Sequence, residues 1–92
     1  MSDTFHFELV SPEKKLVSEP VFEVTAPGTE GDMGVRAGHM PVLATLRAGE
    51  VQVVRNKGDK PQVFRIEDGF VDITATRMTI LAERATPVSQ AA

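Results

Sequence analysis

The chain has 92 residues, enough for one small domain, and its 41% hydrophobic and 25% charged residues are typical of a folded globular protein. A net charge of −3 lacks the basic footprint of nucleic-acid binding, so no nucleic-acid partner is predicted. The absence of cysteine excludes disulfides and thiolate metal sites. No apolar run is long enough to cross a bilayer, so no direct membrane insertion is predicted.

The dominant hydrophobic period along the chain is two, as in half-buried β-strands. At the start, Phe5, Phe7 and Leu9 alternate with polar or less buried positions. The strands predicted in this way cover residues 5–10, 16–17, 21–26, 42–46, 51–55, 63–67, 70–74 and 78–82.

Turn signals separate these strands. Pro12 breaks the chain after the first strand, and residues 56–61 form the clearest hairpin loop. Asp68-Gly69 is interpreted as a tight reversal, and Pro27 as the end of the third strand. Only the segment 81–85 has helical composition, Pro87 follows to end it, and no amphipathic helix is predicted.

Short strands with turns at close intervals predict a single all-β domain, an antiparallel sandwich or flattened barrel with essentially no helix. The domain is predicted to cover residues 1–86, and Pro87 ends the segment of helical composition that follows the last predicted strand. Residues 87–92 are predicted to be a loose C-terminal tail.

A glycine- and proline-rich stretch over residues 27–43 is the most unusual segment. Glycine allows left-handed backbone angles and close approach, and proline fixes its own φ angle. The stretch is therefore predicted to be a system of shaped loops, and it surrounds His39. Its glycines and prolines are Pro27, Gly28, Gly31, Gly34, Gly38 and Pro41.

The residues for catalysis are mostly missing. The chain has two histidines and no phosphate-binding Gly-Lys-Ser/Thr sequence. Glu30 and Asp32 near His39 are the only candidates for a metal site or a small hydrolase, and a solvated acidic turn explains both carboxylates more simply. For His39, a hydrogen bond that closes its own loop and a contact with a partner remain equally open.

Several motifs occur in a characteristic order, of which Gly31-x-x-Gly34-x-x-x-Gly38-His39-x-Pro41 is the most specific. In these motifs and their order, the chain resembles the N-terminal β-sandwich domain of the epsilon subunit of F-type ATP synthases. The matching segments are residues 5–13, 27–28, 31–35, 38–43, 48–49, 68–71 and 79–83.

The resemblance implies a ten-stranded sandwich and a non-catalytic subunit of the central stalk, the rotor of the ATP synthase complex. Such a subunit binds the gamma subunit and the polar loops of the c-ring, and it couples ion-driven rotation to ATP synthesis or hydrolysis. The resemblance implies no cofactor, no metal and no catalytic residue. It also implies a peripheral location on the cytoplasmic face of the bacterial inner membrane.

Carried over by position, the resemblance implies three sets of residues. The gamma-facing set is Ser11, His39, Pro41 and Ala44. The set that contacts the c-ring is Gly28, Thr29, Glu30, Gly31, Asp32 and Met33. The set that shapes the loops is Gly34 and Gly38.

The chain departs from the family pattern in three respects. Arg36-Ala37 replaces a large apolar residue followed by proline, and Ala44 replaces a common hydroxyl residue. The chain also ends soon after Ala85, where family members continue into an inhibitory helical hairpin, so a short form without that hairpin is expected. Two alternatives to the stalk subunit remain: a stand-alone ligand-binding sandwich, and a small hydrolase centred on His39.

Overall fold

The computed structural model describes residues 3–88, which contain eight β-strands and no helix. The all-β fold predicted from the hydrophobic period is therefore confirmed. The strands are β1 (Phe5–Val10), β2 (Lys15–Val21), β3 (Glu23–Gly28), β4 (Gly31–Arg36), β5 (Val42–Leu46), β6 (Gly49–Val54), β7 (Gln62–Ile73) and β8 (Arg77–Val88).

The strands form two layers, which the long β7–β8 hairpin connects. Residues 62–66 of β7 pair with β6, whereas residues 69–73 of the same strand pair with β5. The first layer consists of β2, β1, residues 77–82 of β8, residues 69–73 of β7, and β5. The second layer consists of residues 84–88 of β8, residues 62–67 of β7, β6, β3 and β4.

The hairpin changes layers at Asp68, which has a left-handed backbone with φ of 41°. Ile66 is buried before this point and Val71 after it. The residues that face the core are therefore even-numbered before the bend and odd-numbered after it. The ladder with β8 keeps its register across the shift. The predicted reversal at Asp68-Gly69 is therefore wrong: the dipeptide bends one continuous strand.

The number of strands also differs from the ten that the resemblance implies. β7 and β8 each contribute to both layers without a change in their register, so each is one strand. One pairing departs from the predicted antiparallel pattern, because β1 runs parallel to β8. Local hydrophobic patterns carry no information about the direction of a strand seventy residues away in sequence.

The core lies between the layers and is entirely apolar among the described residues. Its largest fully buried side chains are Phe7, Leu9, Ile66, Ile73, Met78 and Ile80. No polar or charged side chain of residues 3–88 is buried. The core gives the domain a rigid body, while its polar chemistry lies on the surface.

Two strands continue through prolines that were predicted to end a segment of the domain. β3 continues through Pro27 to Gly28, because its partner β4 forms from residues predicted to be loop. β8 continues through Pro87 to Val88, so pairing extends two residues past the predicted domain end at 86. The helical composition of 81–85 is overridden by this pairing. Residues 1–2 and 89–92, parts of the predicted domain and tail, lie outside the described residues.

Candidate interaction surface

The β3–β4 turn is a tight hairpin closed by the pair Gly28 and Gly31. Gly31 has φ of 135°, which side-chain-bearing residues rarely adopt. A Cβ atom on Gly28 would lie 2.6 Å from the carbonyl oxygen of Gly31. Glycine is thus required at both positions, and Thr29 and Glu30 form the exposed tip.

This turn is fastened to β5 and to the residue after it. The backbone N–H of Thr29 donates to the carbonyl oxygen of Thr45 over 3.1 Å, and the two threonine hydroxyls lie 2.8 Å apart. The backbone N–H of Arg47 donates to Pro27 over 2.9 Å. The Arg47 guanidinium also binds the Asp32 carboxylate over 2.5 Å. The predicted c-ring segment is therefore held in one shape by its own chain.

The β4–β5 loop is also fixed internally. Gly38 has φ of 82°, and its N–H donates to the carbonyl oxygen of Ala75 over 2.9 Å. His39 Nδ1 lies 2.7 Å from the carbonyl oxygen of Met40. Because a carbonyl only accepts, Nδ1 carries the proton and donates, which leaves Nε2 for a further contact. Gly34 lies within β4 without a positive φ, so its backbone does not require glycine.

The predicted gamma-facing residues do not form one cluster. Ser11 lies where β1 ends, in a turn closed by its N–H donating to Lys14 over 2.9 Å. His39 precedes the start of β5, near the opposite end of the first layer. Strands β8 and β7 lie between β1 and β5, which separates the two residues laterally by roughly 14 Å. Pro41 is exposed, whereas Ala44 faces inward and packs against the core.

An apolar patch lies between these corners, on the outer face of the first layer. It consists of Leu43, Phe70 and Leu81, which are 79%, 58% and 54% exposed. Phe70 is directly opposite Leu81 on one side and Thr45 on the other. Sequence reasoning missed this patch. The sequence feature that could have indicated the patch is a large apolar residue at an outward-facing position of each strand. Phe70, which precedes the buried Val71, is an example.

A charged network borders this face beside β1. The Glu8 side chain is 13% exposed; one of its oxygens accepts from Arg77 over 2.9 Å, and the other lies 3.4 Å from Lys15. The hydrogen bond from Arg77, together with that from Lys15 and the charges of both, lowers the Glu8 pKa from its ordinary 4.5 to about 2, although burial opposes the shift. His6 Nε2 lies 3.4 Å from the same carboxylate. The face thus has an apolar centre and a charged border, as many protein interfaces do.

A cleft of about 620 Å³ lies between the β3–β4 turn and the patch. It brings the predicted c-ring segment and the predicted gamma residue Ala44 onto the walls of one depression. Its walls are formed by Gly28, Thr29, Glu30, Gly31, Met33, Leu43, Ala44, Thr45 and Phe70. The two predicted contact regions are therefore adjacent at this point.

The residues of the alternative hydrolase site are not brought together. Asp32 lies near the start of β4 and His39 lies beyond the end of that strand. Asp32 is also paired with Arg47. Within residues 3–88, no group of three His, Cys, Asp or Glu side chains is placed to hold a metal ion. Nor does this part of the chain contain a helix with the length and apolar character needed to cross a membrane.

A rigid sandwich with internally fastened loops and an exposed apolar patch is the architecture of an interaction domain. Residues 4–88 match the family described as the β-sandwich domain of the ATP synthase delta/epsilon chain. The chain belongs to this family.

Similar proteins include bacterial ATP synthase epsilon chains. The chain is 49% identical over 90 residues to the epsilon chain of Rhizobium etli, covering 98% of this chain and 66% of the relative. It is 44% identical over 89 residues to that of Parvibaculum lavamentivorans, covering 97% of this chain and 67% of the relative. The chain thus spans about two thirds of the length of these curated relatives.

Two solved structures share the fold. A chain in the Euglena gracilis mitochondrial ATP synthase OSCP/F1/c-ring structure superposes with a TM-score of 0.86 at 27% identity, covering 95% of this chain and 55% of that one. A chain in the Tetrahymena thermophila mitochondrial ATP synthase central stalk/c-ring structure gives 0.74 at 18% identity, covering 88% and 64%. The second likeness concerns the fold alone.

Proposed function

We propose that this chain is a central-stalk subunit of an F-type ATP synthase, one that makes and breaks no bonds itself. In this role it joins the gamma subunit to the c-ring, so that ion-driven rotation of the ring is coupled to ATP synthesis or hydrolysis. The observation that carries the proposal is membership of the delta/epsilon family over residues 4–88, with 49% identity to a bacterial epsilon chain.

The outer face of the first layer suits the gamma subunit. Contiguous exposed apolar side chains mark protein-binding surfaces, and the patch of Leu43, Phe70 and Leu81 is such a surface. Ser11 and His39 then contact gamma at opposite corners of the face, with the free Nε2 of His39 available for a hydrogen bond. Most of the affinity comes from the apolar area removed from water, because exposed polar contacts contribute little.

The β3–β4 turn suits the polar loops of the c-ring. Its tip is exposed and carries the carboxylate of Glu30, which can accept hydrogen bonds from basic or amide groups. Its shape is set by two required glycines and by bonds to Thr45 and Arg47. A preformed loop binds without the entropy cost of ordering it. A subunit under repeated torque requires a loop with such a fixed shape.

This role places the chain at a membrane-bound complex without inserting it into the membrane. We infer a peripheral location on the cytoplasmic face of the bacterial inner membrane, as the resemblance implies. The net charge of −3 gives no support to a nucleic-acid partner.

Affinity purification of the tagged chain from native membranes, followed by mass spectrometry, tests the proposal. We expect recovery of gamma, the alpha and beta subunits, and the c-ring subunit. A Phe70→Ser variant should recover much less of all of them, whereas Gln52→Ala, exposed on the second layer, should recover wild-type amounts. Recovery of the folded wild-type chain alone would overturn the proposed function.

A further inference from the structure

We propose that Arg47 is a positioning residue for the β3–β4 turn, and that its ion pair with Asp32 leaves Glu30 as the carboxylate that the turn presents to a partner. This inference rests on the proposed function, since the partner considered is the c-ring. The inference gives different roles to Glu30 and Asp32, both of which belong to the c-ring set that the resemblance implies.

Arg47 makes two bonds to the strands on either side of the turn. Its backbone N–H binds the carbonyl oxygen of Pro27 on β3, and its guanidinium binds Asp32 on β4. Pro27 and Asp32 are themselves paired across the hairpin. Arg47 therefore binds both strands of the hairpin at the same cross-strand pair, which lies next to the turn.

Stability alone does not explain this ion pair. The Arg47 and Asp32 side chains are 49% and 66% exposed, and exposed pairs contribute little to the free energy of unfolding. The pair does, however, neutralise the charge of Asp32 and fix its carboxylate against the turn. A basic group on a partner would have to compete with a guanidinium that is already in contact.

Glu30 is in the opposite situation. Its side chain is exposed at the tip and has no hydrogen bond or ion pair within residues 3–88. It also lines the cleft beside the patch, so a partner loop lying in the cleft would pass its carboxylate. Glu30 can thus bind a cation or an amide without breaking an existing contact.

A charge swap separates positioning from direct contact. The full chain is bound to gamma, and its affinity for detergent-solubilised c-ring from the same membranes is measured at several salt concentrations. The variant Asp32→Arg/Arg47→Asp restores an ion pair with reversed polarity, and we expect wild-type affinity within about twofold. Either substitution alone opposes two like charges and should weaken ring binding by roughly twofold to fivefold.

Glu30→Gln is the second arm of the test. We expect it to weaken ring binding by roughly twofold to fivefold and to reduce the salt dependence, because charges at an interface rim act through screened attraction. Glu50→Gln, an exposed carboxylate on β6, is the control with the same change in charge. Melting temperatures establish that each variant is folded.

The outcomes are distinct. A folded charge-swap variant that binds as weakly as Asp32→Arg would show that Asp32 itself contacts the ring, and would overturn the inference. So would a Glu30→Gln variant that behaves like Glu50→Gln; this comparison decides the matter if the swap does not fold. Failure of the wild-type complex to bind the ring would instead refute the proposed function.

Discussion

Phe70→Ala is expected to weaken gamma binding strongly while leaving the domain folded. A phenylalanine presents roughly 200 Å² of surface, and Phe70 is 58% exposed. A partner can therefore cover roughly 115 Å² of it, which corresponds to about 3 kcal/mol at 25 cal/mol per Å². Alanine retains the Cβ, so we expect a loss of about 2 kcal/mol, or roughly thirtyfold in Kd.

The stability of the free chain should change much less. Phe70 lies outside the core, and the main loss is its cross-strand pairing with Leu81, which is worth below about 1 kcal/mol. Titration calorimetry with purified gamma measures the Kd, and urea denaturation measures the free energy of unfolding. Gln52→Ala, on the outer face of the second layer, is the control and should change neither.

A change of less than twofold in Kd for folded Phe70→Ala would refute the assignment of this face to gamma. A similar loss for Gln52→Ala would also refute it, because the effect would then not depend on which layer is altered.

Three further predictions concern the backbone, the charged border and the separation of the two contacts. Gly69→Ala should reduce the free energy of unfolding by about 1–3 kcal/mol in urea denaturation, because the added Cβ meets the backbone carbonyl of the facing strand. An unchanged value would show that the hairpin shifts freely. The lowered pKa of Glu8 stabilises the folded chain above pH 4.5, and this contribution is lost as the pH falls towards 2. Wild-type stability should therefore fall more steeply across this range than that of Glu8→Gln, and parallel curves would contradict the shift. Gly38→Val should weaken gamma binding through strain at its positive φ, whereas Asp32→Lys should spare gamma and loosen the ring. Equal damage to gamma binding by both variants would show that the two contacts are not separate.

The prediction from sequence succeeded where the physical cause is local. The alternation of Phe5, Phe7 and Leu9 depends only on which face of a strand is buried, and the structure has β1 in this place. Prolines were less informative. Pro27 was interpreted as a strand end and Pro87 as the start of a loose tail, yet each lies within a strand because a partner strand continues beside it.

The candidate site was predictable in part. The glycines of residues 28–38 indicated shaped loops, and Gly28, Gly31 and Gly38 have the constraints that such loops require. The pairing of Asp32 with Arg47, fifteen residues away in sequence, could not be inferred, because it depends on how β3 lies beside β5.

The sequence by itself determined that this chain is an all-β domain with glycine-shaped loops and that it belongs among the epsilon-type sandwiches. Periodicity and glycine conformation act over a few residues, so they are visible in the chain. Only the tertiary structure decided that Asp68 bends one strand across two layers and that β1 runs parallel to β8. It also decided that Leu43, Phe70 and Leu81 form one exposed patch, because the members of a patch come from strands whose order and register are set by packing the whole core.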